Sequence, residues 1–138
     1  MEIKQNDLVE LIFQEKYDDV KTMLGTSINV DYVDSRENTP LLTAIETANH
    51  ELVKLLLDSG ANPNLDTDYA SPLTAAIDVS MEAFKNSGLP APPIDIINLL
   101  VTYGADIWKL NKNGQSAYSF AKDYHIPAQR LFDELNNK

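Results

Sequence analysis

The chain has 138 residues, a hydrophobic content of 43%, no cysteine and a net charge of −10. The absence of cysteine excludes a disulfide framework, thiolate chemistry and a cysteine-rich metal site. The start of the chain has no apolar run of the signal-peptide type, and no stretch approaches the roughly 18 apolar residues expected of a membrane span. These observations favour one soluble, cytoplasmic domain.

The first predicted elements are two short helices. Leu8, Leu11 and Ile12 recur at helical spacing and mark a buried stripe. A second helix is predicted from Tyr17 to Leu24, and residues 28–38 then connect it to the next element.

The clearest helix pair is predicted between residues 39 and 64. Thr39 is an N-cap residue, and Pro40 follows at the first helical position, where its missing N–H costs nothing. Leucine, valine and isoleucine residues form two apolar stripes, and Gly60 ends the second helix. Because a pair of such short helices cannot bury both faces alone, similar neighbours are needed.

The same order of residues returns along the chain. Residues 17–24 align with residues 50–57, residues 71–77 repeat the first helix, and residues 96–106 repeat the second. A weaker last copy begins at Gly114. The period of about 33 with the patterns T-P-L-x-x-A and L-L-L-x-x-G-A-x-x-N resembles the ankyrin repeat.

The resemblance implies an all-α repeat solenoid, a stack of helix–turn–helix units joined by fingers that are short β-hairpins or loops. One domain is expected over residues 1–138, with atypical end repeats as caps. The four predicted repeats cover approximately residues 1–33, 34–65, 66–110 and 111–138, and the third contains an insertion at residues 81–93.

Two fingers depart from the family pattern. Glu37 and Tyr69 stand where the family usually has glycine, and both disfavour a left-handed backbone. Thr39 and Ser71 are 32 residues apart, one fewer than expected, and the loss is predicted near Leu65. The second finger is therefore expected to be distorted or a plain loop.

The insertion at residues 81–93 is the largest departure. Met81 and Phe84 extend the first helix of the third repeat, Gly88 stops it, and the proline-rich run after it favours an extended path. A loop of this length is either a second contact surface or a neutral insertion.

The last repeat contains several aromatic residues, and Pro127 is predicted to start its final helix. Trp108 precedes this repeat at a position usually held by asparagine. It either closes the edge of the stack or is exposed as an anchor for a partner.

Nothing in the sequence predicts catalysis, a cofactor or a metal. The two histidines, His50 and His125, lie in no recognisable order with a serine and an aspartate. Residues 64–68 resemble the opening of a calcium loop, but Tyr69 and Ala75 stand where that loop requires Gly and Glu. We therefore expect a non-enzymatic protein.

The charge is concentrated in the middle of the chain. Residues 34–106 have a net charge of −8, whereas residues 107–138 have a net charge of +2. An acidic middle repels phosphate, so nucleic acid is not the expected partner, and it attracts a basic protein surface. The alternative is that the charge serves only solubility.

The resemblance implies that partners contact the finger tips and the inner face of the first helices. Asp66, Asp68, Glu46 and Asp78 are expected to form one acidic strip. The candidate partner-binding residues are Phe13, Arg36, Glu46, Asp66, Asp68, Tyr69, Asp78, Trp108 and Tyr124.

The leading functional hypothesis is a non-catalytic binder, monomeric when free, that masks or inhibits one basic protein partner. Small acidic ankyrin proteins act in this way as immunity proteins, and the Asn-, Lys- and Ile-rich usage indicates a bacterial or phage origin. The alternative is an adaptor that recruits one protein to another through its fingers and the insertion at residues 81–93.

Overall fold

The computed structural model describes residues 7–68 and 70–137, and at Asp7 only the backbone. In these residues the secondary structure is entirely helical, without strands. The helices are α1 (Asp7–Phe13), α2 (Tyr17–Leu24), α3 (Pro40–Glu46), α4 (His50–Asp58), α5 (Pro72–Ser87), α6 (Asp95–Thr102), α7 (Ala117–Ala121) and α8 (Ile126–Asn136).

The helices form antiparallel pairs that stack side by side. Each odd-numbered helix packs against the helix that follows it, and α1, α3, α5 and α7 pack against one another in chain order. Helices α4 and α6 also contact each other on the second side of the stack. The predicted all-α stack of helix–turn–helix units is confirmed.

Three of the first helices begin with the same cap. The side-chain oxygens of Thr39, Ser71 and Ser116 accept hydrogen bonds from backbone N–H groups three residues later. Pro40 and Pro72 then occupy the first turn, where no intrahelical N–H donor is needed. The predicted starts at Thr39 and Ser71 therefore follow from local chemistry.

One hydrophobic core extends through all of these helices. Among its fully buried side chains are Leu8, Ile12, Val20, Ile45, Val53, Leu56, Ile77, Leu100 and Phe132. The apolar stripes predicted for the first two helix pairs thus face the interior, although Leu11 and Leu55 are only partly buried.

The fingers are loops. In the first finger, the Asp34 N–H donates to the Asn38 carbonyl at 2.9 Å, and Glu37 between them has a φ of 62°. In the second, the corresponding bond joins Thr67 to Ala70, also at 2.9 Å, so this tip is one residue shorter. Of the two forms that the sequence left open, the loop is the one observed.

The missing residue was predicted in the wrong place. Asn29 accepts a hydrogen bond from the N–H two residues later, as Asn62 does. The spacing from Asn29 to Asp34 equals that from Asn62 to Thr67, so nothing is lost near Leu65. The deletion therefore lies after Thr67, in the tip of the finger. The turn before the tip, which the Asn62 side chain closes, is unchanged.

Helix α5 is extended at its C-terminal end, as predicted. It continues to Ser87 and ends at Gly88, whose φ of 66° is the left-handed conformation that favours glycine. Helix α3, its neighbour, stops at Glu46. The end of α5 and the loop after it therefore project beyond the adjacent helix pair.

Candidate functional site

Three of the predicted site residues occupy equivalent positions. Phe13, Glu46 and Asp78 each follow a fully buried isoleucine, namely Ile12, Ile45 and Ile77, and each is exposed. Because α1, α3 and α5 pack side by side, these three side chains lie in one row. The axes of packed helices are about 8–10 Å apart, so the row spans roughly 16–20 Å.

Tyr124 extends this row at the C-terminal end. Its hydroxyl lies 3.4 Å from the Asp78 carboxylate, to which it donates. Burial first, and then the nearby Asp78 carboxylate, raises the pKa of the Tyr124 phenol above its ordinary value. We call Phe13, Glu46, Asp78 and Tyr124 the helix-end row.

Glu46 is the least satisfied carboxylate of the helix-end row. It has no hydrogen bond or ion pair to any other residue that the structure describes. Although the residue is exposed, the surrounding stack withdraws enough water from its carboxyl group to raise the pKa above the ordinary value. A carboxylate that has lost water without gaining a partner favours an incoming cation.

A cation of the chain itself lies over each aromatic residue of the row. The Arg36 guanidinium carbon is 5.7 Å from the centre of the Phe13 ring, and the Lys85 ammonium is 5.9 Å from the centre of the Tyr124 ring. Arg36 also lies 3.6 Å from a Glu10 carboxylate oxygen. Exposed cation–π contacts contribute only about 0.5–1 kcal/mol, so both cations are weakly held.

The two finger carboxylates are in a different environment. Asp66 accepts a hydrogen bond from Lys109 at 2.7 Å, and the Asp66 side chain is only 14% exposed. Asp68 forms an ion pair with Lys112, and its backbone N–H donates to Glu37 at 3.2 Å. These bonds join neighbouring fingers, so both negative charges are compensated within the stack.

The predicted strip of four carboxylates is therefore not observed. Asp66 and Asp68 precede the N-cap of α5 at Ser71, whereas Asp78 lies on the exposed side of that helix about 10 Å further along its axis. Glu46 likewise lies at the C-terminal end of α3. The structure separates a compensated finger pair from an uncompensated helix-end pair.

The remaining predicted residues lie elsewhere or outside the described part. Trp108 is 49% exposed and stacks on Tyr118 with ring centres 4.7 Å apart. It therefore covers one aromatic residue of the last helix pair while leaving half of its own surface open. Tyr69 lies outside the described residues.

The structure also contains a buried polar network that the sequence did not reveal. His125 is fully buried, and its Nδ1 accepts from the Ala128 N–H at 3.1 Å, which caps α8. Its Nε2 lies 2.7 Å from the Ser80 hydroxyl, which donates to the Pro93 carbonyl. Burial lowers the pKa of His125 below its ordinary value.

The direction of these hydrogen bonds excludes a nucleophilic role for Ser80. Because Nδ1 accepts, Nε2 carries the proton and donates to Ser80, so the imidazole does not act as a base toward that hydroxyl. The network instead fixes the end of the insertion to the last helix pair. No sequence signal indicated it, since Ser80 and His125 are 45 residues apart.

The described part of the chain has neither a metal-binding cluster nor a membrane-spanning helix. Residues 7–68 and 70–137 contain no group of three or more His, Asp or Glu side chains arranged to hold a metal ion. Within the same residues, no helix has the length and apolar character required to cross a bilayer.

The stacked helix pairs define a helical repeat protein. The chain belongs to the ankyrin repeat family, because the family model described as "Ankyrin repeats (3 copies)" matches residues 4–111. Helices α7 and α8 lie beyond the matched range, so their assignment as a fourth, capping repeat stays a prediction.

The curated relatives match parts of the chain. Mouse "Ankyrin repeat, SAM and basic leucine zipper domain-containing protein 1" is 46% identical over 57 residues, which cover 41% of this chain and 12% of that protein. Human "Ankyrin repeat and SOCS box protein 11" is 28% identical over 102 residues, covering 74% of this chain and 28% of that protein. The chain thus matches less than a third of the length of either relative.

Two solved structures have the same fold. The human ASB11 ankyrin repeat domain has a TM-score of 0.69 and 25% identity, with 91% of this chain and 51% of that chain covered. The ankyrin repeat domain of Bcl-3 has a TM-score of 0.70 and 25% identity, with 89% and 50% covered. Ankyrin repeats generally mediate protein–protein interaction without catalysis.

Proposed function

We propose that this protein binds one protein partner with a basic surface, and that the helix-end row is the centre of the contact. The observation that carries the proposal is the exposed Glu46 carboxylate in the middle of the row, which lacks an ion-pair partner among the described residues. Asp78 is next to it in the row, and among the same residues its hydrogen bond comes from the neutral Tyr124 hydroxyl. A basic side chain supplies the charge that both carboxylates lack.

Aromatic residues at both ends make the row suitable for more than charge. Phe13 is 43% exposed and Tyr124 is 39% exposed, so each offers apolar surface beside a carboxylate. Aromatic side chains and arginine are enriched among the residues that dominate binding energy at interfaces. The row thus combines anchors for affinity with charges for orientation.

The consequence that we propose is inhibition, in which the bound protein covers a basic functional surface of its partner, as an immunity protein does. The protein would act in the cytoplasm and as a monomer when free. The bacterial or phage origin indicated by residue usage stays a prediction, and the two relatives named above are from mouse and human.

The test is a charge reversal of the row. Once a basic partner is isolated, Glu46→Lys with Asp78→Lys is compared with Glu51→Lys with Glu134→Lys, which reverses two exposed carboxylates outside the row. Both variants have the same net charge, so long-range attraction changes equally. We expect the row variant to lose binding by about 100-fold or more and the control variant by less than tenfold.

The salt dependence of binding distinguishes two roles for the acidic surface, electrostatic attraction of a partner and solubility alone. Charges in solvent are screened over about 8 Å at physiological ionic strength, so the association rate of the wild type should fall as salt is raised. Stopped-flow mixing across a salt series measures this rate. An association rate independent of salt, together with equal losses in the two variants, would leave the acidity as a solubility feature.

An adaptor is the second candidate, and the insertion favours it. The Ser80 hydroxyl donates to the Pro93 carbonyl and so fixes the base of the loop, while Leu89 is 41% exposed. A fixed loop that exposes an apolar side chain is suited to a second contact. Replacing residues 88–92 with a short Gly/Asn turn should abolish capture of a second protein and leave the first complex intact. If the variant still captures both proteins, the insertion is neutral.

A further inference from the structure

We propose that Arg36 and Lys85 are internal substitutes for the partner's basic side chains. Each occupies an aromatic position of the helix-end row in the free protein and leaves it when a basic segment binds. The inference rests on the proposed function and changes the role of Arg36 from a predicted partner-binding residue to an occupant of the site.

At the N-terminal end, Arg36 has the contacts that a bound arginine would make. Its guanidinium lies over Phe13, 3.6 Å from a Glu10 oxygen and 3.7 Å from an Asp34 oxygen. Its side chain is nevertheless 61% exposed, and neither contact is within ordinary hydrogen-bond distance. A ring and two carboxylates are therefore available to another guanidinium at little cost.

At the C-terminal end, negative charge exceeds what Lys85 compensates. Asp78 accepts from the Tyr124 hydroxyl, and the exposed Glu82 follows four residues later on α5, so two carboxylates share the helix face beside Tyr124. Lys85 lies over that ring and forms no ion pair with another described residue. The single ammonium group of Lys85 is therefore weakly held and lies near two carboxylates.

Lys109, which precedes the loop closed by the bond from the Asn111 N–H to the Gln115 carbonyl, shows how a structural cation is held in the same molecule. Lys109 donates to Asp66 at 2.7 Å and also to the Asn64 carbonyl at 2.8 Å. These short bonds to groups of the neighbouring finger hold Lys109 in place. Arg36 and Lys85 have no comparable bond, and this contrast identifies them as the displaceable pair.

The geometry also defines the partner segment. Phe13 and Asp78 are two helix spacings apart, about 16–20 Å, and an extended chain advances about 3.3 Å per residue. A segment that reaches from the Phe13 ring to the Asp78 carboxylate therefore carries two basic residues about five or six positions apart. Between them, the segment passes Glu46, where a polar or basic residue fits best.

The experiment uses a peptide probe and needs no knowledge of the partner. An acetylated, amidated peptide with two arginines five positions apart, separated by Gly-Ser repeats, is titrated into ¹⁵N-labelled full-length protein. A peptide of the same composition with adjacent arginines is the control ligand. We expect the spaced peptide to bind more tightly and to shift the amide signals of residues 13, 46 and 78.

The deciding variants are Arg36→Ser with Lys85→Ser, matched by Lys16→Ser with Lys21→Ser. Both pairs remove two positive charges from exposed positions, and only the first empties the row. We expect the first pair to bind the spaced peptide about three- to tenfold more tightly than wild type, and the second less than twofold. Melting curves confirm that both variants are folded.

Equal gains in the two pairs, or weaker binding when Arg36 and Lys85 are removed, would overturn the inference. Failure of the proposed function gives a different result: the variant Glu46→Gln with Asp78→Asn would bind the peptide as tightly as the wild type does. A third result separates the two proposals: Glu46→Gln with Asp78→Asn loses the peptide, but Arg36→Ser with Lys85→Ser behaves like Lys16→Ser with Lys21→Ser. The helix-end row is then the binding surface, and only the displacement of Arg36 and Lys85 is wrong.

Discussion

The finger carboxylates and the helix-end carboxylates have the same formal charge but different surroundings. Asp66 and Asp68 are paired with Lys109 and Lys112 across neighbouring fingers. Among the described residues, Glu46 has no cation beside it, and the hydrogen bond that Asp78 accepts comes from a phenol. One pair joins adjacent repeats, whereas the other is uncompensated within this part of the chain.

This difference shows that net charge and available charge are separate quantities. Residues 34–106 have a net charge of −8, yet part of it is compensated by lysines from the region with a net charge of +2. An opposite charge a few ångströms away cancels most of a carboxylate's field. The uncompensated negative surface is therefore smaller than the charge count indicated.

The fingers and the helix-end row are both held by one hydrophobic core. Leu56 and Leu100 are fully buried in the shared core, in helices α4 and α6. We expect Leu56→Ala or Leu100→Ala to lower the free energy of unfolding by about 2–5 kcal/mol and to lower the melting temperature of the whole domain. Urea unfolding followed by circular dichroism measures this, and two separate transitions would show that fingers and row are not one unit.

The next largest effect is expected at His125, which fixes the turn containing Tyr124. His125→Ala removes the cap of α8 and the bond to Ser80, at a cost of about 1–3 kcal/mol. Because burial lowers the pKa of His125 in the folded state, its contribution is complete above the ordinary value of 6.5 and is lost as the pH falls below it.

A pH series tests the titration directly. The stability difference between wild type and His125→Ala should shrink as the pH falls from 6.5 toward the lowered pKa, because the histidine of the unfolded wild type binds a proton that the folded state disfavours. His50→Ala is the control, since His50 is exposed at the start of α4. A difference that stays constant over this range would contradict the neutral, hydrogen-bond-accepting Nδ1.

The two classes of carboxylate should also differ in their effect on stability. Asp66→Ala removes a hydrogen bond to Lys109 from a largely buried side chain and should cost about 1–2 kcal/mol. Glu46→Ala removes no hydrogen bond and should change stability by about 0.5 kcal/mol or less. Chemical unfolding of the two variants under one buffer condition gives the comparison, and equal losses would remove the distinction between the regions.

The sequence predicted the helices well because their signals are local. Thr39 and Pro40 start α3, and Gly88 stops α5, through contacts within a few residues of each position. The repeat pattern then placed Phe13, Glu46 and Asp78 in equivalent positions. These elements needed no information from distant parts of the chain.

The charge pattern was not predictable in the same way. Asp66 and Lys109 are 43 residues apart, and their pairing depends on how far one finger is offset from the next. The sequence alone does not show that offset, and it had also placed the single-residue deletion near Leu65 rather than after Thr67. A strip inferred from formal charge therefore joined four carboxylates that the stack separates.

The smallest expected effect concerns Glu46 itself. Its pKa is raised by desolvation, so ionisation costs the folded protein stability at neutral pH, although solvent limits the cost at this exposed position to a few tenths of a kcal/mol. Glu46→Gln should therefore be slightly more stable than wild type at pH 7. The gain should disappear as the pH falls through the raised pKa to the ordinary value of 4.5, because the wild-type carboxyl group is then neutral. Paired melting curves at pH 7 and pH 4.5 measure the change, with Glu51→Gln as the exposed control outside the row. A loss of stability in Glu46→Gln at pH 7 would mean that the carboxylate already has a cation in the free protein, and that the helix-end row is compensated like the fingers.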